Sequence, residues 1–282
     1  MNTYTDTRII TLHSKDAIKN NGTANSDVYF PFETIYSREE AIAYVDVSIR
    51  SAEIPSSFYT INETNNTFNF IYLSTTYPIT LTEGNYNATQ FNTEIIARVD
   101  EATSTSGLFT ISISSTTGRL TITATNTIEF SKTNTLFWKL AGFDPTTSSL
   151  VVNAGTPQTL PYPINLLGIN LISIQSNKIP TYSYTSGVGG LSNVLAVIDN
   201  YSSPYGLISY KDNQTTHHII RSHELKNIDI HILDENENYV DFNGVEWTIC
   251  LSINIHRYGV PQQTKTFQQH KEEIKENDAV KK

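Results

Sequence analysis

The residues of this 282-residue chain best able to do chemistry form one histidine-rich group: His217, His218, His223 and Glu224. Imidazoles and carboxylates bind metal ions, but a metal site needs three or four ligands that converge. Adjacent residues of a strand point to opposite faces, so His217 and His218 should diverge. We therefore predict no metal site. The three histidines remain candidates for a pH-sensitive contact, because histidine changes charge near neutral pH.

Nucleophilic catalysis has little support in the sequence. Cys250 falls on the polar face of a predicted strand, and His256 is too far along that strand to act as its base. Asp229 and His231 share a strand face, but no motif places a serine beside them. The chain lacks H-E-x-x-H, G-x-S-x-G, P-loop and G-x-G-x-x-G motifs. We predict no catalytic residues, no cofactor and no enzymatic activity.

Tyrosines form the second candidate group. They lie in a loop-rich stretch with glycine and serine, at Tyr182, Tyr184, Tyr201, Tyr205 and Tyr210. Rigid aromatic side chains bury a large area at a small entropic cost, which suits a protein–protein contact. The same composition also suits a glycan-binding loop or simple packing within the chain. We favour the protein contact and keep the other two interpretations open.

The composition indicates the kind of fold that must position these residues. Charged residues are 17% of the chain, below the roughly 25% of an average soluble domain, and there are 37 Thr and 26 Asn. Threonine, tyrosine, phenylalanine and isoleucine favour strands, while asparagine, serine and glycine favour turns. A mainly β fold is therefore predicted. The net charge of −9 argues against nucleic acid as a partner, since phosphate binding needs clustered cations.

Other functional classes are excluded by simple counts. One cysteine rules out an internal disulfide and a zinc site with several cysteine ligands. No apolar run approaches 18 residues, so no membrane-spanning helix is expected. The N-terminal residues lack the apolar core of a secretory signal, so we expect no export signal at this end.

Strict alternation of apolar and polar residues predicts several strands. The clearest apolar faces are Val45, Val47 and Ile49, then Ile228, Ile230 and Ile232, and finally Trp247, Ile249, Leu251, Ile253 and Ile255. Such alternation is typical of a strand with one buried face. Turn-rich residues separate the last two runs, including Asn243-Gly244. We expect antiparallel strands joined by tight connections in this C-terminal third.

A short sequence repeat links the two halves of the chain. Residues 48–56, SIRSAEIPS, align with residues 173–181, SIQSNKIPT. In both copies an alternating run ends at Ile-Pro, because proline cannot donate a hydrogen bond to a central ladder. The repeat predicts either two related β-modules or two equivalent strands of one sandwich.

The middle of the chain has a different pattern. Asn87 and Gln90 resemble a capping box, and the apolar residues after them follow a helical spacing. A hairpin around 115–118 and an amphipathic turn at 136–140 follow. These features predict an α+β unit at 77–148 inserted into a β-sandwich. The flanking parts are 1–76 and 149–260, and 261–282 is predicted to be a tail or docking arm.

Three stretches carry a family resemblance. Residues 45–62, residues 79–86 with 140–143, and residues 241–247 resemble penton-like minor capsid proteins of virophages, polinton-like viruses and related large DNA viruses. The resemblance covers most of residues 40–256, as loose patterns. It implies a jelly-roll β-sandwich with an inserted small α+β domain.

The resemblance also implies a role. It implies a structural virion protein without catalytic residues, located in the capsid and assembled inside the host cell. As a homopentamer it would occupy icosahedral vertices, with the major capsid protein and other capsid proteins as partners. The alternative that stays open is a spike or receptor-binding module whose tyrosine-rich loops bind glycans.

Overall fold

A computed structural model describes residues 3–20, 25–37, 42–179, 183–185, 190–212, 216–220 and 224–258. In chain order, the strands of these residues are β1 (Thr3–His13), β2 (Ile18–Lys19), β3 (Asp27–Ser37), β4 (Ile42–Pro55), β5 (Thr67–Tyr72), β6 (Thr75–Thr80), β7 (Phe109–Ile113), β8 (Arg119–Ala124), β9 (Ile128–Ser131), β10 (Ser149–Val152), β11 (Gln158–Pro163), β12 (Leu171–Gln175), β13 (Ser183–Thr185), β14 (Gly190–Ser192), β15 (Val194–Asp199), β16 (Leu207–Lys211), β17 (His218–Ile220), β18 (Glu224–Leu233) and β19 (Thr248–Tyr258). The helices are α1 (Ala88–Thr103) and α2 (Thr135–Leu140), with a 3-10 turn at Ser14–Asp16.

Two antiparallel sheets form a sandwich. The first sheet has the order β1-β19-β4-β16, and β17 pairs with β4 beside β16. The second sheet has the order β15-β12-β18-β3-β2. The chain visits the first sheet with β1, the second with β3 and the first with β4, and later crosses again from β16 to β18 to β19. This exchange between two facing sheets is the topology of a jelly roll. The predicted fold class is confirmed.

The alternating runs of the sequence form the interior of the sandwich. Ile228, Ile230 and Ile232 of β18 are buried, as are the inward residues of β4 and β19. One expectation from the sequence is wrong. The strands β18 and β19 do not pair with each other but lie in opposite sheets, so the residues between them cross the sandwich. Alternation reports which face of a strand is buried, not which neighbour it pairs with.

The Ile-Pro repeat marks equivalent strands of one sandwich. The first copy forms β4, which lies between β19 and β16 in the first sheet. The second copy forms β12, which lies between β18 and β15 in the second sheet. Each copy is thus an inner strand of its sheet. Two tandem β-modules, the other interpretation left open by the sequence, are not what the chain forms.

Between β4 and β12 the chain builds a second hydrophobic core. Two small sheets, of order β10-β9-β5-β6 and β11-β8-β7, pack with α1 and α2 around buried aromatic rings. Those rings are Phe68, Phe70, Phe91, Phe109, Phe130, Phe137, Trp138 and Phe143. The predicted capping box is present, because the Asn87 side chain accepts from the Gln90 amide at 2.9 Å and the Gln90 side chain accepts from the Asn87 amide at 3.0 Å.

We call this part of the chain the inserted unit. Its buried cluster starts at Ile61 and ends at Leu160, beyond both limits of the interval 77–148 inferred from the sequence. The strand β5 lies outside that interval, yet it supplies Phe68 and Phe70 to the aromatic core. The packing therefore favours wider limits for the unit, which we propose lie close to 58 and 168.

The inserted unit leaves and rejoins the sandwich at one place. A side chain at Gly168 would come within 3.0 Å of Oγ1 of Thr60, so the outgoing and returning segments lie side by side. At the same junction the Ser57 hydroxyl donates to the Phe242 carbonyl at 2.7 Å, and the Asn243 amide side chain donates to the Ser57 carbonyl at 2.7 Å. These bonds tie the exit of β4 to the crossing before β19.

The helices of the described residues include none that is both long and apolar enough to span a membrane.

Candidate functional site

The outer face of the first sheet carries a well-connected polar group. The inner face of this sheet packs against the core, so the alternate residues of its strands turn outwards. The register pairs Asn254 of β19 with Asp46 of β4 on one side and with Thr7 of β1 on the other. The next row pairs His256 with Tyr44. Polar side chains from three strands therefore meet at one point.

Asp46 is the centre of this group. Its Oδ1 accepts from Nδ2 of Asn254 at 2.9 Å and lies 2.8 Å from Nδ1 of His217. Its Oδ2 lies 2.6 Å from Nε2 of His256. The Asp46 side chain is only 8% exposed, because these partners cover it. We call Asp46, His217, Asn254 and His256 the Asp46 cluster.

The cluster holds its carboxylate in the charged form. Burial alone raises the pKa of Asp46, because it disfavours the charged form. Hydrogen bonds from Asn254, His256 and His217 oppose this effect and outweigh it, so the net pKa of Asp46 lies below its ordinary value. Asp46 therefore presents a negative charge to both imidazoles of the cluster.

The neighbours of the cluster fix its orientation. The Thr5 hydroxyl lies 3.0 Å from Nδ1 of His256, and the Tyr44 ring stacks on the His256 ring at a centroid distance of 3.9 Å. The Thr7 hydroxyl donates to Oδ1 of Asn254 at 2.9 Å. Both ring nitrogens of His256 and both polar atoms of the Asn254 amide are thus engaged. This part of the site is preorganised rather than mobile.

Two shallow grooves flank the cluster on the sheet surface. The smaller, about 230 Å³, is lined by Arg50, Asp212 and several hydroxyl side chains. The larger, about 480 Å³, is lined by Tyr44, Ile219 and the histidines of the cluster. His217 and Asn254 line both grooves and so separate them.

The second sheet has a comparable group on its own outer face. His231 lies between two carboxylates, with Nδ1 3.0 Å from Oδ1 of Asp27 and Nε2 3.1 Å from Oδ2 of Asp229. The hydrogen bond to Asp229 is the largest cause of a raised His231 pKa, and burial opposes it. Burial works against the charged form of Asp229 as well, but hydrogen bonds from His231, Ser176 and the backbone lower its pKa strongly.

This second group contains a serine, an aspartate and a histidine, but not in the order of a catalytic triad. The Ser176 hydroxyl donates to Oδ1 of Asp229 at 2.6 Å, so the serine contacts the carboxylate instead of the imidazole. Ser176 is also completely buried. The backbone amides of Asn177 and Lys178 donate to the same carboxylate, each at 3.0 Å. The group holds a loop against β18.

The structure separates the histidines that the sequence grouped together. His217 faces outwards and contacts Asp46, whereas the neighbouring His218 is buried with Nε2 3.0 Å from the Leu195 carbonyl. The predicted divergence of these two side chains is observed. His223 lies outside the described residues. A pH-sensitive contact between subunits stays a prediction for all three.

The predicted tyrosines have different surroundings where the structure describes them. Tyr201 and Tyr205 share the loop between β15 and β16 and are 91% and 74% exposed. Tyr210 instead packs against the sandwich core, where burial raises its pKa with a smaller effect from Asp212. Tyr184 lies on β13, and Tyr182 falls outside the described residues. Their roles in a contact or in glycan binding stay predictions.

The described part of the chain holds no group of three or more His, Cys, Asp or Glu residues arranged around a common ion position. Each of the two histidines in the Asp46 cluster is hydrogen-bonded directly to the Asp46 carboxylate. Cys250 is a half-buried free thiol on the outer face of β19, in register with Thr11 of β1.

The sequence did not single out Asp46, Asn254 and His256 as a group. The signal was present in part, because alternation placed Asp46 on the polar face of one strand and His256 on the polar face of another. The pairing of β4 with β19 was missing, and that pairing brings positions 46 and 254 together across more than 200 residues.

Comparisons with known proteins give a likeness at the level of structure. No protein-family model matches the chain, and no curated protein matches it. Among solved structures, the chain is similar to a crystal structure of the selenomethionine-labelled mavirus penton protein. The likeness covers 88% of this chain and 99% of the mavirus chain, with a TM-score of 0.48 and 13% sequence identity.

Proposed function

We propose that this protein is a structural virion protein, a penton or minor capsid subunit that occupies icosahedral vertices as a homopentamer. The observation that carries the proposal is the strand order of the two sheets. Jelly rolls of this kind are recurrent in viral capsid and lectin domains. The sequence resemblance of residues 45–62, 79–86, 140–143 and 241–247 to penton-like proteins favours the capsid role among these.

The surface composition supports lateral contacts between subunits. The outward residues of β1 and β19 are mostly uncharged hydroxyl and amide side chains, and charged residues are 17% of the whole chain. Protein interfaces are depleted of charge at their centre, because burying an unpaired charge is costly. The partners we propose are further copies of this chain and the major capsid protein. The location we propose is the capsid of a virion assembled inside the host cell.

The first test is the mass of the purified full chain in solution. We expect an oligomer of about five times the 31.6 kDa chain mass at high protein concentration. Co-expression with the major capsid protein of the same virus should then give particles whose cryo-microscopy density places this chain at the fivefold vertices. A chain that stays monomeric and never enters particles would contradict the proposal.

A second candidate function is a glycan-binding spike or receptor-binding module. The observation in its favour is the exposure of Tyr201 and Tyr205 in one loop, since exposed aromatic rings can stack on sugars. A glycan array should compare the native chain with Tyr201→Ala and Tyr205→Ala, and with Tyr162→Ala, an exposed tyrosine of the inserted unit, as control. Saturable binding lost only in the two loop variants would favour this second function over the capsid role.

A further inference from the structure

The Asp46 cluster connects separate parts of the chain around one carboxylate. Asp46 belongs to β4, His256 to β19, and Thr5 on β1 contacts His256 in turn. His217 comes from the segment 216–220, which contains β17. The cluster is therefore a point at which a short peripheral strand is fastened to the centre of the first sheet.

The segment 216–220 is also attached by its strand and by two buried side chains. Its strand β17 has three residues, which pair with positions 45–47 of β4. His218 contacts the Leu195 carbonyl, and Ile220 is buried in the core. Short strands at a sheet edge open more readily than central ones, since few hydrogen bonds hold them. The contact from His217 to Asp46 adds a polar attachment to this short strand.

The two imidazoles of the cluster are not equivalent. His256 can serve as a neutral ring, with Nε2–H donating to Asp46 and Nδ1 accepting from the Thr5 hydroxyl. His217 is 40% exposed and reaches Asp46 through Nδ1. The Asp46 carboxylate is charged, so protonation of His217 turns their hydrogen bond into an ion pair between two opposite charges, which is stronger than the bond from a neutral imidazole. The proton on His217 therefore decides how firmly its segment is held.

Other charged and titratable side chains lie around His217. Asp212 lines the same groove as His217 and contributes a second negative charge, while Arg50 on β4 opposes it. Tyr44 of β4 and His256 of β19 are the titratable groups on the other side of Asp46. On β1 the facing side chains are Thr5 and Thr7, which do not titrate.

We propose that the Asp46 cluster is a proton-sensitive clamp that fastens the segment 216–220 to β4. The clamp is tight when His217 carries its proton and loose when the proton is lost. Loosening frees an edge position of β4 and removes the wall between the two grooves. The clamp acts within one chain, so its test does not depend on assembly.

The experiment is amide hydrogen exchange of the full chain at about pH 5.5 and about pH 8, on either side of the range in which histidine titrates. Exchange rates are corrected for the intrinsic effect of pH and compared with those of β19. We expect the protection of residues 218–220 to fall by about three- to tenfold at the higher pH, as the ion pair between His217 and Asp46 becomes a hydrogen bond from a neutral imidazole.

Two variants decide the outcome. In His217→Gln the side chain can still donate a hydrogen bond but cannot carry a charge. The protection of residues 218–220 should therefore be equally low at both pH values. His13→Gln is the control, because His13 lies on the same sheet face and contacts the Thr248 hydroxyl. It should keep the native response. Equal pH responses in the native chain and His217→Gln, or no response in the native chain, would overturn the proposal.

Discussion

Both sheets of the sandwich bury a carboxylate on the side that faces away from the core. Asp46 and Asp229 are covered by their own hydrogen-bond partners, and each has a histidine among them. A buried carboxylate without partners would be strongly destabilising, whereas one with several donors is held in the charged form. Several parts of each sheet are therefore joined at these two positions, and replacing either carboxylate should lower the free energy of unfolding.

The first prediction at this scale concerns Asp229→Asn. The amide would place a donor against the Ser176 hydroxyl or the backbone amides, and it would remove the charge that balances His231. We expect a loss of roughly 3–5 kcal/mol in the free energy of unfolding, as for other broken buried pairs. Urea unfolding followed by circular dichroism measures it. Glu235→Gln, at an exposed loop position, is the control and should change stability by less than about 0.5 kcal/mol.

The second prediction concerns the pH dependence of stability. The folded pKa of His231 lies above its ordinary value of 6.5, so folding takes up a proton between these two values. The stabilisation is complete below pH 6.5 and is lost as pH rises through the raised pKa. Unfolding free energies measured from pH 6 to 9 should therefore fall more steeply in the native chain than in His231→Gln. Parallel curves would show that His231 is not the group responsible.

The free energy of unfolding at acidic pH should depend on Asp229. Its folded pKa lies well below the ordinary value of 3.8, so its contribution is complete above that value. Stability should then decrease as pH falls below about 4.

The sequence placed Asp229 and His231 on one strand face but did not identify Asp27 or Ser176 as partners. Those contacts come from a neighbouring strand and from a loop, and residue alternation contains no information about either.

Individual elements are positioned by short-range features that the sequence does contain. The capping box at Asn87 sets the first turn of α1, and it was predicted together with the helical spacing behind it. The hairpin of β7 and β8 was also predicted, and its register pairs Ile113 with Leu120. Pairings between distant strands were not predictable in this way, because any two half-buried strands with the same alternation can pair.

Loss of the helix cap gives the third prediction. Asn87→Ala removes the acceptor for the Gln90 amide, and we expect a loss of about 1 kcal/mol in the free energy of unfolding. Asn87→Ser keeps an oxygen at the capping position and should therefore retain most of the native free energy of unfolding. Thermal or urea unfolding of the full chain measures both variants, and equal losses in the two would argue against a capping role.

Two glycines with similar backbone angles give the fourth prediction. Gly142 has φ of +87° and Gly155 has φ of +69°, so an alanine at either position costs about 1–2 kcal/mol in backbone strain. A Cβ at Gly142 would also lie 2.4 Å from the Tyr162 carbonyl oxygen, whereas at Gly155 nothing lies within 4 Å. Gly142→Ala should therefore destabilise the inserted unit clearly more than Gly155→Ala does. Equal unfolding free energies would contradict the close approach of β11 to the turn that follows α2.

The edge strand β1 has a feature that discourages unwanted pairing. Asp6 lies on the inward side of the strand and forms ion pairs with Arg8, at 3.4 Å, and with Arg257, at 3.7 Å. Inward-pointing charges on an edge strand are a known protection against edge-to-edge aggregation, since a second chain would have to bury them. This sheet edge is thus poorly suited to indiscriminate strand addition.

At the scale of the whole molecule, two hydrophobic cores share one chain. The sandwich core is rich in isoleucine and valine, and the core of the inserted unit is rich in phenylalanine. The sequence predicted both the mainly β character and the insertion. It could not give the limits of the insertion, because β5 and β11 have the same strand-like pattern as the sandwich strands around them. Only their packing assigns them to the second core.

The separate core leads to the fifth prediction. A fragment of residues 58–168 should fold alone, since it contains the whole buried cluster from Ile61 to Leu160 and is of ordinary domain size. Near-ultraviolet circular dichroism should show ordered aromatic residues, and urea should unfold the fragment in one cooperative transition. The same fragment with Phe130→Ala is the control and should lose that transition. A disordered native fragment would mean that the sandwich is needed to complete this core.

The neighbouring positions of Thr60 and Gly168 have a consequence for how such proteins can diversify. A unit that departs and returns through adjacent points can be lengthened, shortened or exchanged without altering the distance between the strands on either side. The sandwich would keep its register while the inserted unit changed in size or surface. For engineering, this junction is the natural position at which to graft a foreign domain.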